Sequence, residues 1–264
     1  MKKEVFQTYE FLKYQLFAKS IKTIHPPFAY DLIQHLKNRD ISAHDKKAIF
    51  SFILYAANNN NIIEHTDMGA SAKGRKYVRS FKKVADMAAK SGISHKYGRL
   101  LYHLVNYFEP ENIIEMGTSL GISTLYLSLA NKKANIITIE GCAETARVAQ
   151  NYIKKGGGDN VKVYVGGFQT LLPHTLEGMP AVDFVFFDGH HKYEPTMEYF
   201  RKSKPFAHDN TVFVFDDIHW SREMHKAWRH IIHDKDVTLS LDFFQLGIVF
   251  FKKGISKQNL IIRY

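Results

Sequence analysis

Acidic side chains follow two strands of the predicted sheet at the points where the strands end. Asp188 comes after the apolar run "VDFVFF", and Asp216 and Asp217 come after "TVFVF". Because the carboxyl ends of adjacent parallel strands lie side by side, we expect the three carboxylates to share a small site. Carboxylates held so close repel one another unless a cation or a shared proton joins them. Mg²⁺ and similar ions prefer oxygen ligands, so we predict Asp188, Asp216 and Asp217 as metal ligands. In the alternative interpretation, Asp188 bonds a ligand or caps its loop, and Asp217 caps the next turn.

A histidine lies on the same loop as the first aspartate. His191 follows Asp188 by three residues, and an imidazole with an unperturbed pKa of about 6.5 suits proton removal near neutral pH. We therefore predict His191 as the general base and Asp188 as the second catalytic residue. His190 and His219 compete for the role of base, because both are expected on the same face of the sheet.

A glycine-bracketed turn follows an earlier apolar strand, in "IIEMGTSLGISTLYLS" (113–128). Its spacing, E-x-G-x-x-x-G, lacks the middle glycine of the dinucleotide fingerprint, which argues against a nicotinamide oxidoreductase. Glycine lets the backbone approach a ligand closely, and the N–H groups at the start of the next helix suit a carboxylate. The residues predicted to line this loop are Glu115, Gly117, Thr118, Ser119 and Gly121. Glu140, at the end of "NIITIE", stands where an acid binds ribose hydroxyls.

The elements that must position these residues alternate between strands and helices from residue 111 onward. The predicted strands are 112–116, 135–140, 161–165, 182–187 and 211–216. The predicted helices lie between them near 122–131, 143–155, 169–177 and 194–203, with another at 221–233. Such near-continuous apolar runs are typical of parallel strands covered on both faces, which indicates an α/β doubly wound sheet. The segment 237–253 holds two strands with only a few residues between them, which predicts an antiparallel hairpin.

Five segments resemble, in order, the motifs of class I S-adenosylmethionine-dependent methyltransferases. They are "IIEMGTSLGISTLYLS", "ITIEGC", "VYVGGFQTLLP", "DFVFFDGHHKYEPTMEYF" and "VFVFDDIHWSREMHKAW", within about residues 96–253. They are most similar to the small-molecule O-methyltransferase-like branch. The resemblance implies a Rossmann-like seven-stranded sheet, parallel with a C-terminal antiparallel hairpin. It also implies S-adenosylmethionine (SAM) as cofactor, with methyl transfer to a hydroxyl of a small molecule.

The resemblance also assigns roles to individual residues. It implies that Glu115, Gly117, Gly121 and Glu140 hold SAM, and the alternative reading of Asp188 adds it to the cofactor-binding set. Gly167 and Phe168 stand where the family usually carries an Asp or Asn followed by an adenine-contacting residue, so we predict that a backbone N–H of Phe168 serves instead. Metal-dependent relatives place acids at the positions of Asp188, Asp216 and Asp217 and a Lys or His at that of His191, which agrees with Mg²⁺ or another divalent cation.

Basic charge is concentrated in the N-terminal third of the chain. Residues 1–95 hold 16 Lys+Arg and 8 Asp+Glu, whereas residues 96–264 hold 20 and 18. Residues 1–108 are predicted to be helical, with a basic helix in "KGRKYVRSFKKVADMAAK" (73–90). We predict a helical cap over 1–95 and a SAM-binding methyltransferase domain over 96–264. Since a basic helix can bind nucleic acid, an RNA or other nucleic-acid methyltransferase is the alternative, and a non-catalytic cofactor-binding module is a further one.

The remaining features predict a cytoplasmic protein with no membrane partner. Cys142 is the only cysteine, so a disulfide within the chain is excluded. The N-terminal segment carries no signal-peptide core, and the longest apolar runs fall well short of the roughly 20 residues of a membrane helix. A homo-oligomer is compatible with the sequence, which does not fix the oligomeric state.

Overall fold

The computed structural model of the protein describes residues 3–38, 40–67 and 77–264. Close contacts group the chain into two compact units. The terminal unit comprises Met1–Asn38 with Met179–Tyr264, and the middle unit comprises Arg39–Gly178. The division into a cap over 1–95 and a methyltransferase domain over 96–264 stays a prediction.

Helices and strands alternate through most of the described residues. The helices are α1 (Lys3–Phe17), α2 (Pro27–Asn38), α3 (Ala43–Ala57), α4 (Val84–Ser91), α5 (His95–Phe108), α6 (Ile122–Ala130), α7 (Ala143–Lys155), α8 (Phe168–Glu177), α9 (Tyr193–Ser203) and α10 (Arg222–His233). The strands are β1 (Ile62–Asp67), β2 (Val78–Lys83), β3 (Asn112–Met116), β4 (Asn135–Glu140), β5 (Val161–Val165), β6 (Phe184–Phe187), β7 (Val212–Phe215), β8 (Leu239–Asp242), β9 (Gly247–Phe250) and β10 (Gln258–Ile261). Short 3₁₀ turns span Ile21–Thr23 and Lys204–Phe206.

The middle unit holds three parallel strands in the order β3-β4-β5, connected by α6 and α7. Ile113, Ile114 and Ile136 are fully buried, as expected for strands covered on both faces. In the register of this sheet Met116 lies opposite Ile139. The turn after β3 therefore begins beside the end of β4, where Glu140 stands.

The terminal unit holds five strands in the order β10-β8-β9-β7-β6. β6 and β7 are parallel, and Phe187 lies opposite Phe215, so both strands end at the same level. β9 runs antiparallel to both β7 and β8, which confirms the predicted C-terminal hairpin. β10 runs parallel to β8 and adds one strand to the seven that the sequence predicts. The strands and helices predicted from residue 111 onward are confirmed within one or two residues, and the predicted α/β class with them.

The prediction of an all-helical N-terminal third is wrong in one segment. Ile62–Asp67 and Val78–Lys83 pair as an antiparallel hairpin, so the predicted basic helix over 73–90 begins only at Val84. Val78 and Ser80 are partly buried whereas Arg79 and Phe81 are exposed, an alternation of period two that favours a strand over a helix. Residues 73–76, the first four of the predicted basic helix, lie outside the described residues.

The helices of the described residues include none that is both long enough and apolar enough to cross a membrane.

Candidate functional site

The turn after β3 is built on left-handed backbone. Gly117, Ser119 and Gly121 have φ values of 110°, 48° and 87°. The N–H groups of Gly117 and Thr118 both donate to the carbonyl of Ile139, at 3.0 and 3.3 Å, which fixes the turn against the end of β4. A Cβ on Gly121 would lie 2.7 Å from Cγ1 of Ile153, so glycine is required there by space as well as by φ. Gly121 also provides no side-chain cap, which leaves the first N–H groups of α6 directed out of the helix at this turn.

Glu140 joins this turn to the next one. Its Oε2 accepts the N–H of Ser119 at 2.9 Å, and its Oε1 accepts the N–H of Cys142, also at 2.9 Å. A carboxylate that accepts two backbone N–H groups is held in one orientation. A carboxylate offers about four lone-pair positions, which suits the recognition of hydroxyl groups.

Glu115 lies beneath the same turn and is fully buried. Thr124 and Thr138 donate to its Oε2, Thr138 at 2.7 Å, while among the described residues its Oε1 has no hydrogen-bond partner. Burial raises the pKa of Glu115 to about 7, against the hydrogen bonds of Ser123, Thr124 and Thr138, and the charge of Glu140 adds to the rise. Glu115 therefore lies under the turn as a buried carboxyl group. Its ionisation in the folded protein lowers the free energy of unfolding.

A third turn follows β5. Gly166 has a φ of 155° and donates its N–H to the carbonyl of Glu140 at 2.9 Å. Gly167 is the N-cap of α8 and accepts the N–H of Leu171 at 3.0 Å, which leaves Phe168 as the first helical residue. The turns that carry Glu115, Glu140 and Gly167 are thus tied together by backbone hydrogen bonds. Whether Phe168 contacts an adenine stays a prediction.

The three predicted aspartates follow β6 and β7 of the terminal unit. The N–H of Asp216 donates to the carbonyl of Phe187 at 3.0 Å, so Asp188 and Asp216 begin side by side. A hydrogen bond joins the Asp188 and Asp216 side chains, and Nε2 of Gln245 donates to Oδ1 of Asp216 at 3.1 Å. Burial and then the charge of Asp217 raise the pKa of Asp216 to about 7. A proton shared by Asp188 and Asp216 is therefore compatible with neutral pH.

His191 lies between two of these carboxylates. Its Nε2 is 3.6 Å from Oδ1 of Asp188, and its Nδ1 is 3.9 Å from Oδ2 of Asp217. Burial lowers the pKa of His191, with Asp217 acting in the opposite direction and the charge of Lys3 adding to the lowering. Burial also raises the pKa of Asp217, against the effects of His191 and Lys3. A neutral imidazole near pH 7 follows, which is the form that accepts a proton.

The two competing histidines have other partners. Nδ1 of His190 lies 2.6 Å from the hydroxyl of Tyr199, on which the imidazole also stacks. Nε2 of His219 lies 2.8 Å from Oδ2 of Asp242, and its Nδ1 lies 3.2 Å from Nδ1 of His225. Of the three histidines considered from the sequence, His191 is the one whose two ring nitrogens both face the aspartate cluster.

The partners that orient these groups were missing from the sequence analysis. Gln245 reaches Asp216 from the loop between β8 and β9, and Lys3 acts on His191 and Asp217 from the start of α1. Thr124 and Thr138 bind Glu115 from α6 and β4. Thr124 and Thr138 both belong to motif segments quoted in the sequence analysis. A polar residue within an apolar run could have indicated them as partners of Glu115.

Comparisons with known proteins agree with this geometry. Residues 114–218 match a family model described as a methyltransferase domain. A catechol O-methyltransferase from Niastella koreensis is 30% identical over 129 residues, which are 48% of this chain and 58% of that protein. The chain thus matches little more than half the length of this curated relative.

Two solved structures share the fold. The SAH-bound structure of a Podospora anserina methyltransferase matches with a TM-score of 0.61 and 17% identity, over 88% of this chain and 99% of that one. An O-methyltransferase from Streptomyces achromogenes, solved in complex with SAM, matches with a TM-score of 0.54 and 22% identity, over 61% and 82%. The predicted Rossmann-like fold and the predicted resemblance to class I SAM-dependent O-methyltransferases are confirmed.

The ionisation of Glu115 gives a stability prediction. Between pH 4.5 and 7 the unfolded chain loses the Glu115 proton while the folded chain keeps it, so the free energy of unfolding falls as pH rises, by about 3 kcal/mol in total. Below pH 4.5 both states are protonated, and above pH 7 both are ionised. We expect Glu115→Gln to remove this fall, as measured by urea unfolding of both proteins from pH 5 to 8.

Glu144→Gln is the matched control for that measurement. Glu144 is a partly exposed residue on α7 that pairs with Arg147, so its replacement should leave the fall in place. Parallel pH profiles for the wild type and Glu115→Gln would contradict the assignment of a buried, proton-retaining Glu115.

Proposed function

We propose that this chain, whose residues 114–218 match a methyltransferase domain, is a SAM-dependent O-methyltransferase that acts on a hydroxyl of a small molecule. The observation that carries the proposal is the carboxylate of Glu140. Backbone N–H groups from two turns hold it at the end of β4, with one N–H on each carboxylate oxygen. Two oxygens about 2.2 Å apart in one carboxylate suit the two adjacent hydroxyls of a ribose, which each donate one hydrogen bond.

The neighbouring turns supply the remaining contacts that SAM requires. The uncapped N–H groups at the start of α6 suit the carboxylate of its methionine end. The backbone of Gly167 and Phe168 suits the adenine, with the N–H of Phe168 as donor, and Thr118 and Ser119 line the turn between. Asp188 stays an alternative partner for the methionine moiety. When bound, SAM supplies a methyl group made electrophilic by its sulfonium.

We assign the removal of the acceptor's proton to His191. Its lowered pKa keeps the imidazole neutral, so a ring nitrogen can take up the proton of the acceptor's hydroxyl. With SAM bound, the oxygen would gain the methyl group as the carbon–sulfur bond breaks, and S-adenosylhomocysteine would leave. The imidazolium so formed is stabilised by the carboxylates of Asp217 and Asp188, which lie within 4 Å of the ring nitrogens. Asp188 is the second catalytic residue in this scheme, because it contacts both the base and Asp216.

The base favours an acidic hydroxyl as acceptor. An imidazole removes a proton from a phenol, whose pKa is about 10, far more readily than from an aliphatic alcohol. The relative named catechol O-methyltransferase agrees with a phenolic acceptor. We therefore propose a small aromatic molecule that carries a hydroxyl group, and methylation of RNA ribose stays an untested alternative.

The carboxylates of Asp188, Asp216 and Asp217 have the oxygen donors that a divalent cation prefers. Their atoms are not arranged around a common point as the ligands of one ion would be. Asp188 and Asp216 are joined by a hydrogen bond, and His191 lies near Asp188 and Asp217. Among the described residues, these aspartates do not bring three ligand atoms within 4.8 Å of one another. We derive no step through a metal, and Mg²⁺ assistance stays a prediction.

The cofactor pocket is tested by calorimetric titration with S-adenosylhomocysteine (SAH). We expect the wild type to bind SAH, and Glu140→Gln to weaken the affinity at least tenfold, about 1.4 kcal/mol, because an amide NH₂ would face a backbone N–H. Glu144→Gln should match the wild type. Absence of SAH binding by the wild type would contradict the proposed cofactor, and equal affinities in the wild type and Glu140→Gln would contradict the role of Glu140.

The base is tested with labelled SAM and a panel of catechols. We expect His191→Asn to lower kcat by a factor of about 10²–10⁴ without changing SAH affinity. The acid limb of the wild-type kcat/KM profile should have its midpoint below pH 6.5, since protonation of His191 stops the reaction and burial lowers its pKa. His191→Asn should lose that limb.

His233→Asn, an exposed position on α10, is the matched control and should turn over like the wild type. Unchanged turnover in His191→Asn would contradict its role as base. Binding of SAH without transfer to any phenol would instead favour the non-catalytic module. Running the assay with EDTA, then with added Mg²⁺, decides whether a metal assists.

A further inference from the structure

A second cluster of polar side chains lies in the terminal unit, and its residues have no role in the proposed methyl transfer. Glu10 is on α1, His219 is in the loop after β7, and His225 is on α10. Nδ1 of His219 lies 3.2 Å from Nδ1 of His225, and Oε2 of Glu10 lies 3.8 and 3.7 Å from these two nitrogens. Glu10 and His219 are buried, and His225 is partly buried. Three possible metal ligands from distant parts of the sequence therefore converge.

The distances from Glu10 suit coordination better than hydrogen bonding, whereas the 3.2 Å between the two imidazole nitrogens is compatible with either. The two separations from Glu10 are too long for hydrogen bonds, whereas the ligand atoms of a tetrahedral zinc ion lie about 3.3 Å apart. A point equidistant from the three atoms is about 2.1 Å from each, as follows from the three separations. Zn–N and Zn–O bonds in proteins have lengths of about 2.0–2.2 Å. That point lies in the plane of the three atoms, and an approach of Glu10 by about 0.4 Å gives the tetrahedral arrangement with a fourth ligand.

His219 is also oriented as a metal ligand. Its Nε2 lies 2.8 Å from Oδ2 of Asp242, whose Oδ1 accepts the N–H of Phe244 at 2.8 Å. The imidazole stacks on Phe244, with a centroid distance of 5.3 Å. A hydrogen bond from Nε2–H to a carboxylate leaves Nδ1 with its lone pair directed at the cluster. This is the arrangement by which proteins fix the tautomer of a coordinating histidine.

We propose that Glu10, His219 and His225 bind a divalent transition-metal ion of the zinc type. Two imidazole nitrogens and one carboxylate oxygen form a donor set that zinc accepts and that Mg²⁺ disfavours. A cavity of about 340 Å³ is lined by all three ligands and by Asp242, and it gives the ion an entry path and a place for a water ligand.

The ion would tie α1 to the loop that carries Asp216 and Asp217. Other contacts already join them, since Nε2 of Gln7 donates to the carbonyl of Trp220 at 3.0 Å and Nζ of Lys3 lies over the Trp220 ring. Metal binding adds a strong contact across the same junction and so restrains α1. This inference does not depend on the proposed methyl transfer.

The test uses the full-length, tag-free protein, stripped of metal by chelation and titrated with Zn²⁺ against a chromophoric chelator. We expect one tight equivalent in the wild type, and at least a hundredfold loss of affinity in His219→Ala and in His225→Ala. Glu10→Gln should weaken binding about tenfold, and Asp242→Asn should weaken it 10–100-fold. Zn²⁺ should slow amide hydrogen exchange in α1 of the wild type but not of His225→Ala.

Two variants serve as controls. His233→Ala removes an exposed histidine from the same helix, and Asp188→Asn alters the aspartate cluster, and both should bind Zn²⁺ like the wild type. Co²⁺ bound to the wild type should give the intense visible absorption of four-coordinate cobalt, a readout that needs no variant to fold. A wild type that takes up no Zn²⁺, a six-coordinate Co²⁺ spectrum, or tight Zn²⁺ binding retained by His225→Ala would each overturn the proposal.

Discussion

The constraint on which the middle unit depends is the pair of backbone hydrogen bonds to Glu140. The N–H groups of Ser119 and Cys142 come from different turns, and one carboxylate fixes both. Ser119 can reach it only because its own φ of 48° and those of Gly117 and Gly121 are left-handed. Local strain in the backbone is thus balanced by charge-assisted hydrogen bonds, and the product is a carboxylate held in one orientation at the end of β4.

Each unit contains a buried carboxyl group whose pKa is raised. Glu115 and Asp216 each have a pKa near 7 because burial disfavours the charged form. In the middle unit threonine hydroxyls limit that cost, and in the terminal unit a hydrogen bond with Asp188 does so. Perturbed carboxyl groups of this kind concentrate at functional sites, since stability alone would favour an apolar residue there.

Much of the fold could be predicted from the sequence, because continuous apolar strands such as "FVFF" and "VFVF" alternate with amphipathic helices. The hairpin of β1 and β2 was missed because its short strands carry charges and lie in a helical region. Glu115, Glu140 and His191 could be proposed as site residues because they stand at or just after strands in recognisable motifs, and their roles stay predictions. Gln245, Glu10 and His225 were not identified as partners, since only the tertiary structure brings them to Asp216 and His219.

The most direct test of the central claim is a crystal structure of the protein with SAH. The account predicts that both ribose hydroxyls donate to Glu140 while the N–H groups of Ser119 and Cys142 keep their hydrogen bonds to it. A ribose bound to other residues, or a Glu140 carboxylate rotated away from these two N–H groups, would contradict the account.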